Sequence, residues 1–208
     1  MNEYHKIQTV YKRDMGNNAK TLLEGQYSLP EFEYLADNLW IWTEKVDGTN
    51  IRVMQKDGVL TFGGKTDNAS IPAQLVTRLN ERFLPLSANM IGMFGCDVCL
   101  YGEGYGAKIQ SGGNYRSDQD FVLFDVKIGQ LWLQRADVES IASKLGLDIV
   151  PIVGHGTLLE MVANAKAGIK STWGDFQAEG YVARPAIELK TRSGERIITK
   201  IKCKDFIK

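Results

Sequence analysis

Residues 41–53, Ile-Trp-Thr-Glu-Lys-Val-Asp-Gly-Thr-Asn-Ile-Arg-Val, constrain the fold more than any other stretch. Apolar residues on both sides enclose ionisable and small ones, the pattern of a strand that enters a tight turn and leaves as a second strand. Lys45 stands at the centre, with Asp47 and Gly48 just after it. A lysine so placed is either solvated at a hairpin end or held in a dry, mostly positive pocket. Such a pocket lowers its pKa from about 10.4 and frees its lone pair for attack.

A chain of 208 residues is long enough to bury a core in one domain. The expectation is a single domain over residues 1–208, with 1–40 as an N-terminal arm and covering segment and 41–204 as the core that bears the motifs. Lys+Arg and Asp+Glu each number 25, so a nucleic-acid partner has to be met by a local basic patch and not by overall charge. Cys96, Cys99 and Cys203 are an odd number without a secretory leader, which points to a reducing cytoplasm. Cys96 and Cys99 have no closely spaced further ligands and read as small apolar residues rather than a zinc knuckle. The apolar run at 90–100 is too short, and too broken by glycine and Asp97, to span a bilayer.

Downstream of Lys45, residues 51–54 and 59–62 are apolar-rich runs separated by Asp57-Gly58, a hairpin signal. Gly63-Gly64-Lys65-Thr66-Asp67-Asn68 reads as a loop. Ser70 before Ile71-Pro72 predicts a helix cap with proline in the first turn, and Ile71, Leu75, Leu79 and Phe83 share one face of a helix over 71–84. Residues 98–101 predict a strand that ends in Gly102-Glu103-Gly104-Tyr105-Gly106, where glycines let the backbone approach a ligand beside Glu103. Residues 108–116 read as a flexible basic and aromatic loop, either a substrate contact or plain surface. A strand at 121–126 turns at 128–130 into 131–133. Val138, Ile141, Ala142 and Leu145 give helical spacing that stops at Gly146, and Thr157-x-x-Glu160 is a capping box with Gly168 past the end of its helix. Arg192-Ser193-Gly194 separates two β-like runs expected to pair antiparallel. On a continuous strand Lys200, Lys202 and Lys204 share one face and call for an anion. His5 reads as a surface residue.

Lys45-Val46-Asp47-Gly48-Thr49-Asn50 resembles the nucleotide-accepting motif of the covalent nucleotidyltransferases: ATP-dependent DNA ligases, RNA ligases and messenger-RNA capping enzymes. In that superfamily the lysine forms a phosphoramidate with AMP or GMP. Leu100-Tyr101-Gly102-Glu103-Gly104, Phe124-Asp125, Glu179-Gly180-Tyr181-Val182 and Lys200-Ile201-Lys202-Cys203-Lys204 are similar to four further motifs, in the family's order. Lys65-Thr66 resembles another, in which arginine is usual. Asn50 resembles RNA ligases of the phage T4 RNA ligase 2 type, since DNA ligases and capping enzymes usually carry arginine there; Asp47 is also similar to the DNA ligase pattern.

The resemblance implies an α+β fold, a single nucleotidyltransferase (adenylation) domain of antiparallel sheets flanked by helices; related ligases usually carry a further C-terminal domain, and the expectation here departs from them in having no C-terminal accessory domain. It implies an ATP-dependent RNA ligase of RNA repair, phage-like in type, in which Lys45 is the nucleophile that becomes lysyl-AMP. AMP then passes to an RNA 5′-phosphate, and a 3′-hydroxyl displaces it. The implied nucleotide-binding residues are Glu44, Asn50, Lys65, Glu103, Phe124, Glu179, Lys202 and Lys204. Of these, Glu103 takes the ribose and Phe124 the base, Lys202 and Lys204 take the phosphates and lower the pKa of Lys45, and Glu44 lies by the adenine edge through its backbone. Mg2+, or Mn2+, is implied at Glu179 and Asp47 through water. The implied partner is RNA with 5′-phosphate and 3′-hydroxyl ends, separate or in a nicked duplex, and no membrane. A small ATP-dependent DNA ligase and a non-catalytic nucleotide- or RNA-binding module are the alternatives, the second predicting no covalent adenylate.

Overall fold

Two five-stranded sheets, mainly antiparallel and flanked by helices, make this an α+β protein. The structure is a computed structural model and describes residues 3–18 and 21–206. In chain order the elements are β1 (Gln8–Thr9), β2 (Tyr11–Arg13), β3 (Leu22–Tyr27), α1 (Pro30–Tyr34), β4 (Trp40–Glu44), β5 (Thr49–Lys56), β6 (Val59–Gly63), α2 (Ala73–Phe83), α3 (Ser87–Phe94), β7 (Val98–Gly106), β8 (Gln119–Ile128), β9 (Leu131–Trp132), α4 (Arg135–Leu145), β10 (Ile152–Gly156), α5 (Leu158–Ala167), β11 (Gly180–Pro185) and β12 (Thr199–Lys202). They fall into two compact units. One holds the described residues up to His5 together with residues 47–150; the other holds residues 6–46 together with those from Pro151 onward.

The 47–150 unit is built on the sheet β6-β5-β7-β8-β9. Its first hairpin turns at Asp57 and Gly58, both at positive φ, as the Asp-Gly pair predicts. Leu75, Leu79 and Phe83 of α2 are fully buried against the sheet, each contributing about 1.5–3 kcal/mol of transfer free energy. That helix starts at Ala73, later than its sequence predicts: Pro72 occupies the cap position, and no side chain, Ser70 included, caps it. A residue before proline is held extended, so Ile71 cannot begin the first turn. Strand β7 runs on through Gly102 and Gly104 instead of ending before them. A Cβ at Gly102 would lie 2.2 Å from the Phe121 ring, and one at Gly104 2.4 Å from Leu75. Both glycines are close packing contacts within a central strand.

Asp120, 3% exposed in its side chain, organises one end of this sheet. It accepts from Arg78 (3.1 Å), Arg82 (2.6 Å), Arg116 (2.7 Å) and the Phe121 N–H (2.8 Å). Burial alone raises the Asp120 carboxyl, but the Arg78 guanidinium, the Phe121 N–H and Arg82 outweigh it and hold the group below its ordinary value of 3.8.

The other unit has the sheet β1-β12-β11-β4-β10, with β1 parallel to β12, and the ribbon β2-β3. Residues 6–40 are built into it, since β1 joins its main sheet. The turn at 192–194 does join runs that pair antiparallel, Gly180 opposite Lys202 and Ala183 opposite Thr199. The capping box at Thr157 and Glu160 forms as its sequence predicts, and α5 buries Leu158, Met161 and Val162. Trp40, wholly buried, donates its indole N–H to the Leu35 carbonyl at 2.8 Å.

Because the Asp120 pKa is depressed on folding, its contribution is present above about pH 4 and is lost as pH falls through the folded value. Asp120→Asn should cost about 1–3 kcal/mol near neutrality by leaving three half-buried guanidinium groups without their buried anion. In urea denaturation the gap between Asp120→Asn and the parent should narrow between pH 5 and about pH 2.

Candidate active site

Three strand ends meet at Glu179. Its carboxylate, 7% exposed, accepts from Lys45 Nζ at 2.6 Å through Oε2 and from Lys202 Nζ at 2.5 Å through Oε1. The backbone sets this up. Lys45 N–H donates to the Gly180 carbonyl at 2.9 Å, Gly180 stands opposite Lys202, and Cys203 N–H donates to the Glu179 carbonyl at 2.9 Å. A Cβ at Gly180 would lie 2.0 Å from the Ile201 carbonyl oxygen, so only glycine lets β11 approach β12 this closely. Lys45 and Lys202 keep 20% and 23% exposure, so both cations remain reachable from solvent.

Glu44 points elsewhere. Its buried carboxylate accepts from Ser171 Oγ (2.6 Å), Thr172 Oγ1 (2.8 Å) and Thr172 N–H (2.9 Å), while its own N–H donates to the Pro151 carbonyl. The residue before Lys45 thus anchors the segment around Ser171 and Thr172.

Lys204 departs from the strand alternation expected of it. Strand β12 ends at Lys202, and Cys203–Phe206 form a 3-10 turn with Lys204 exposed. Asp205 causes the break: it accepts from Lys202 N–H at 3.1 Å and pairs with Arg13 at 2.9 Å. Lys200 and Lys202 keep the alternation; Lys204 does not.

In the 47–150 unit, Asn50 of β5 stands opposite Glu103 of β7. A Cβ at Gly48 would lie 2.3 Å from the Gly104 carbonyl oxygen and 2.9 Å from Glu103 Cγ, so the motif glycine is required by close approach to that strand. Asn50 Oδ1 is buried and has no hydrogen-bond partner among the described residues. Phe124 sits at a β-bulge: Tyr101 pairs with Asp125 and Gly102 with Leu123, which leaves Phe124 unopposed and half-buried between fully buried neighbours. A bulge re-aims its side chain and is common beside functional sites. The Tyr4 ring packs edge-on against Phe124 at 5.1 Å and its hydroxyl donates to the buried Asp125 at 2.7 Å. His5, expected at the surface, is half-buried and stacks on Tyr4 at 4.6 Å. Lys65 is exposed, in a loop tied down by buried Arg52, which donates to the Gly64 carbonyl (2.9 Å) and to Asp67 (2.8 Å).

A family model described as RNA ligase matches residues 38–202. The chain belongs to the RNA ligase family. Among solved structures it is similar to Naegleria gruberi RNA ligase in several forms. A mutant with ATP and Mn matches with TM-score 0.71 at 18% identity, over 97% of this chain and 56% of that one. An apo mutant matches with TM-score 0.67 at 18% identity, over 99% and 58%. A mutant with AMP and Mn gives 0.66 at 18%, over 97% and 58%. At this identity the likeness is one of fold, and the chain spans a little over half the length of the structures it matches. No curated protein matches it in sequence.

For an RNA ligase family member a divalent metal is implied, and the donors present suit a hard cation. Asp47 gives one carboxylate oxygen to Ser111 N–H (3.2 Å), and its Oδ1 has no partner among the described residues. Carboxylate and amide oxygens are what Mg2+ and Mn2+ favour. Among the described residues no group of three His, Cys, Asp or Glu side chains clusters as a metal site. Reading the sequence alone missed Ser171, Thr172, Arg52 and Tyr4. Arg52 carried a signal: a lone charge inside the apolar run 51–54 has to find partners if both faces of the strand are buried.

Glu44→Ala removes three hydrogen bonds to a buried carboxylate and should cost about 2–4 kcal/mol. Hydrogen exchange should rise first in residues 169–175, ahead of the β11–β12 pairing.

Proposed function

We propose that this chain is an ATP-dependent RNA ligase, working as one nucleotidyltransferase domain that joins RNA 5′-phosphate and 3′-hydroxyl ends through lysyl-AMP on Lys45. The observation that carries it is Lys45 Nζ held 2.6 Å from the Glu179 carboxylate, with Lys202 on the same group. RNA ligase family membership supports it, as do the Naegleria gruberi structures with ATP or AMP and Mn.

In the first step the Lys45 nitrogen, its proton passed to solvent water, forms a bond to the α-phosphorus of ATP as the bond to pyrophosphate breaks. Glu179 accepts hydrogen bonds from the amine and so aligns it before attack. Lys202 supplies positive charge where phosphate charge develops. Glu103 takes the ribose, Phe124 lies under the base, and Asn50, Lys65 and the Glu44 backbone complete the nucleotide contacts. In the second step an oxygen of the RNA 5′-phosphate displaces Lys45 from the AMP phosphorus and restores the amine. In the third a 3′-hydroxyl oxygen attacks the 5′-phosphorus, loses its proton and expels AMP. Asp47 and Glu179 are the residues that would hold Mg2+ or Mn2+ through water, and the ion would supply positive charge to the phosphates.

Incubation with α-labelled ATP and Mg2+, then denaturing electrophoresis, should give a labelled chain that Lys45→Ala abolishes and Lys202→Ala slows by about 10². Absence of label from the parent chain would leave a non-catalytic nucleotide- or RNA-binding module, and label from GTP alone would mark a capping-type enzyme. Sealing of nicks with RNA but not DNA at the 3′-hydroxyl side separates the RNA ligase from a small DNA ligase.

A further inference from the structure

Asp47 is gripped twice by one short segment. Its backbone N–H donates to the Tyr115 hydroxyl at 3.3 Å, and its Oδ2 accepts from Ser111 N–H at 3.2 Å. That segment, expected to be a flexible loop, is bonded throughout. Gln119 donates to the Ala107 carbonyl at 2.7 Å, and Gly112 N–H donates to the Ile109 carbonyl at 2.7 Å. A Cβ at Gly112 would lie 2.5 Å from the Gly106 carbonyl oxygen. Lys108 and Gln110 sit at φ of +67° and +48°, a conformation that persists in non-glycine residues where the surroundings over-determine it.

The Tyr115 ring lies edge-on to buried Tyr105 at 6.0 Å. Arg116, the next residue, binds Asp118 and Asp120 at 2.5 and 2.7 Å. A bonded path therefore runs from the Asp120 node through Arg116 and Tyr115 to the Asp47 backbone.

We propose that residues 107–116 form a clamp on Asp47, and that Tyr115 is a positioning residue that acts on the divalent metal and its phosphate through Asp47. This rests on the reading of Lys45 as the adenylate acceptor. The Tyr115 hydroxyl holds the Asp47 backbone and Ser111 N–H holds Oδ2, so Oδ1 is presented in one orientation. Without the hydroxyl the motif backbone gains freedom just where a water-mediated contact needs precision.

The test is Tyr115→Phe in the full chain, which keeps the ring and its packing. Exchange of the Asp47 amide, followed by NMR, should rise about tenfold with loss of its acceptor. The Mn2+ concentration for half-maximal lysyl-AMP formation should rise three- to tenfold, with the KM for ATP and the Tm unchanged. An Asp47 amide that exchanges as in the parent overturns the proposal, as does an unchanged Mn2+ requirement, or an equal rise in the KM for ATP. If the parent chain forms no lysyl-AMP at all, the functional reading fails by itself, and the amide exchange still decides whether Tyr115 holds Asp47.

Discussion

Two ammonium groups and one carboxylate, mostly out of water, are the interaction on which the rest of the site depends. Neither lysine would lie at this position without Glu179, because two like charges brought together in a partly buried space repel strongly. The carboxylate would not be stable there alone, since an unpaired buried charge is costly. One charge on each oxygen resolves both problems and leaves a net positive group at the ends of β4, β11 and β12. In a chain whose formal charge is zero, local excess of this kind would attract an anion.

The scaffold treats its other buried charges the same way. Glu44 has a serine, a threonine and a backbone N–H; Arg52 has a carbonyl and Asp67; Asp120 has three arginines. Each of these fixes a segment without regular secondary structure, and two of the segments carry or touch motif residues: Lys65 for Arg52, and Asp47 for the Asp120 node by way of Arg116. Buried polar contacts confer order at the cost of desolvation, so they are found where a loop must hold one shape.

Features governed by neighbours in sequence were legible before the structure. The Asp-Gly turn, the Thr157 capping box, the Gly146 stop and the antiparallel return to β12 all depend on residues a few positions apart. What was not legible depends on distant partners. The strand over 98–101 was expected to end at Gly102 because nothing local reveals the Phe121 ring and Leu75 pressed against Gly102 and Gly104. The α3 helix was hidden in an apolar run with no charged face to set its period. The end of β12 turns on Asp205 meeting Arg13, which lies near the start of the chain. The motif residues Lys45 and Glu179 were named from resemblance, yet their pairing, and the place of Lys202 in it, belong to strand register.

The sharing of Glu179 by two lysines has a consequence for the proposed reaction. When the Lys45 nitrogen bonds to phosphorus it ceases to be a cation, and a carboxylate with Lys45 as its sole partner would be stranded in a partly dry pocket at that moment. Lys202 would prevent this, because the carboxylate would keep one counter-charge through the transfer. The second lysine would also give the returning amine a place to go, since Glu179 stays oriented by Lys202 while Lys45 carries AMP through an N–P bond. A site built on one lysine and one glutamate would have to rebuild its electrostatics at every step. This one changes by a single charge against a fixed pair, and a strand register that places Gly180 opposite Lys202 is enough to ensure it.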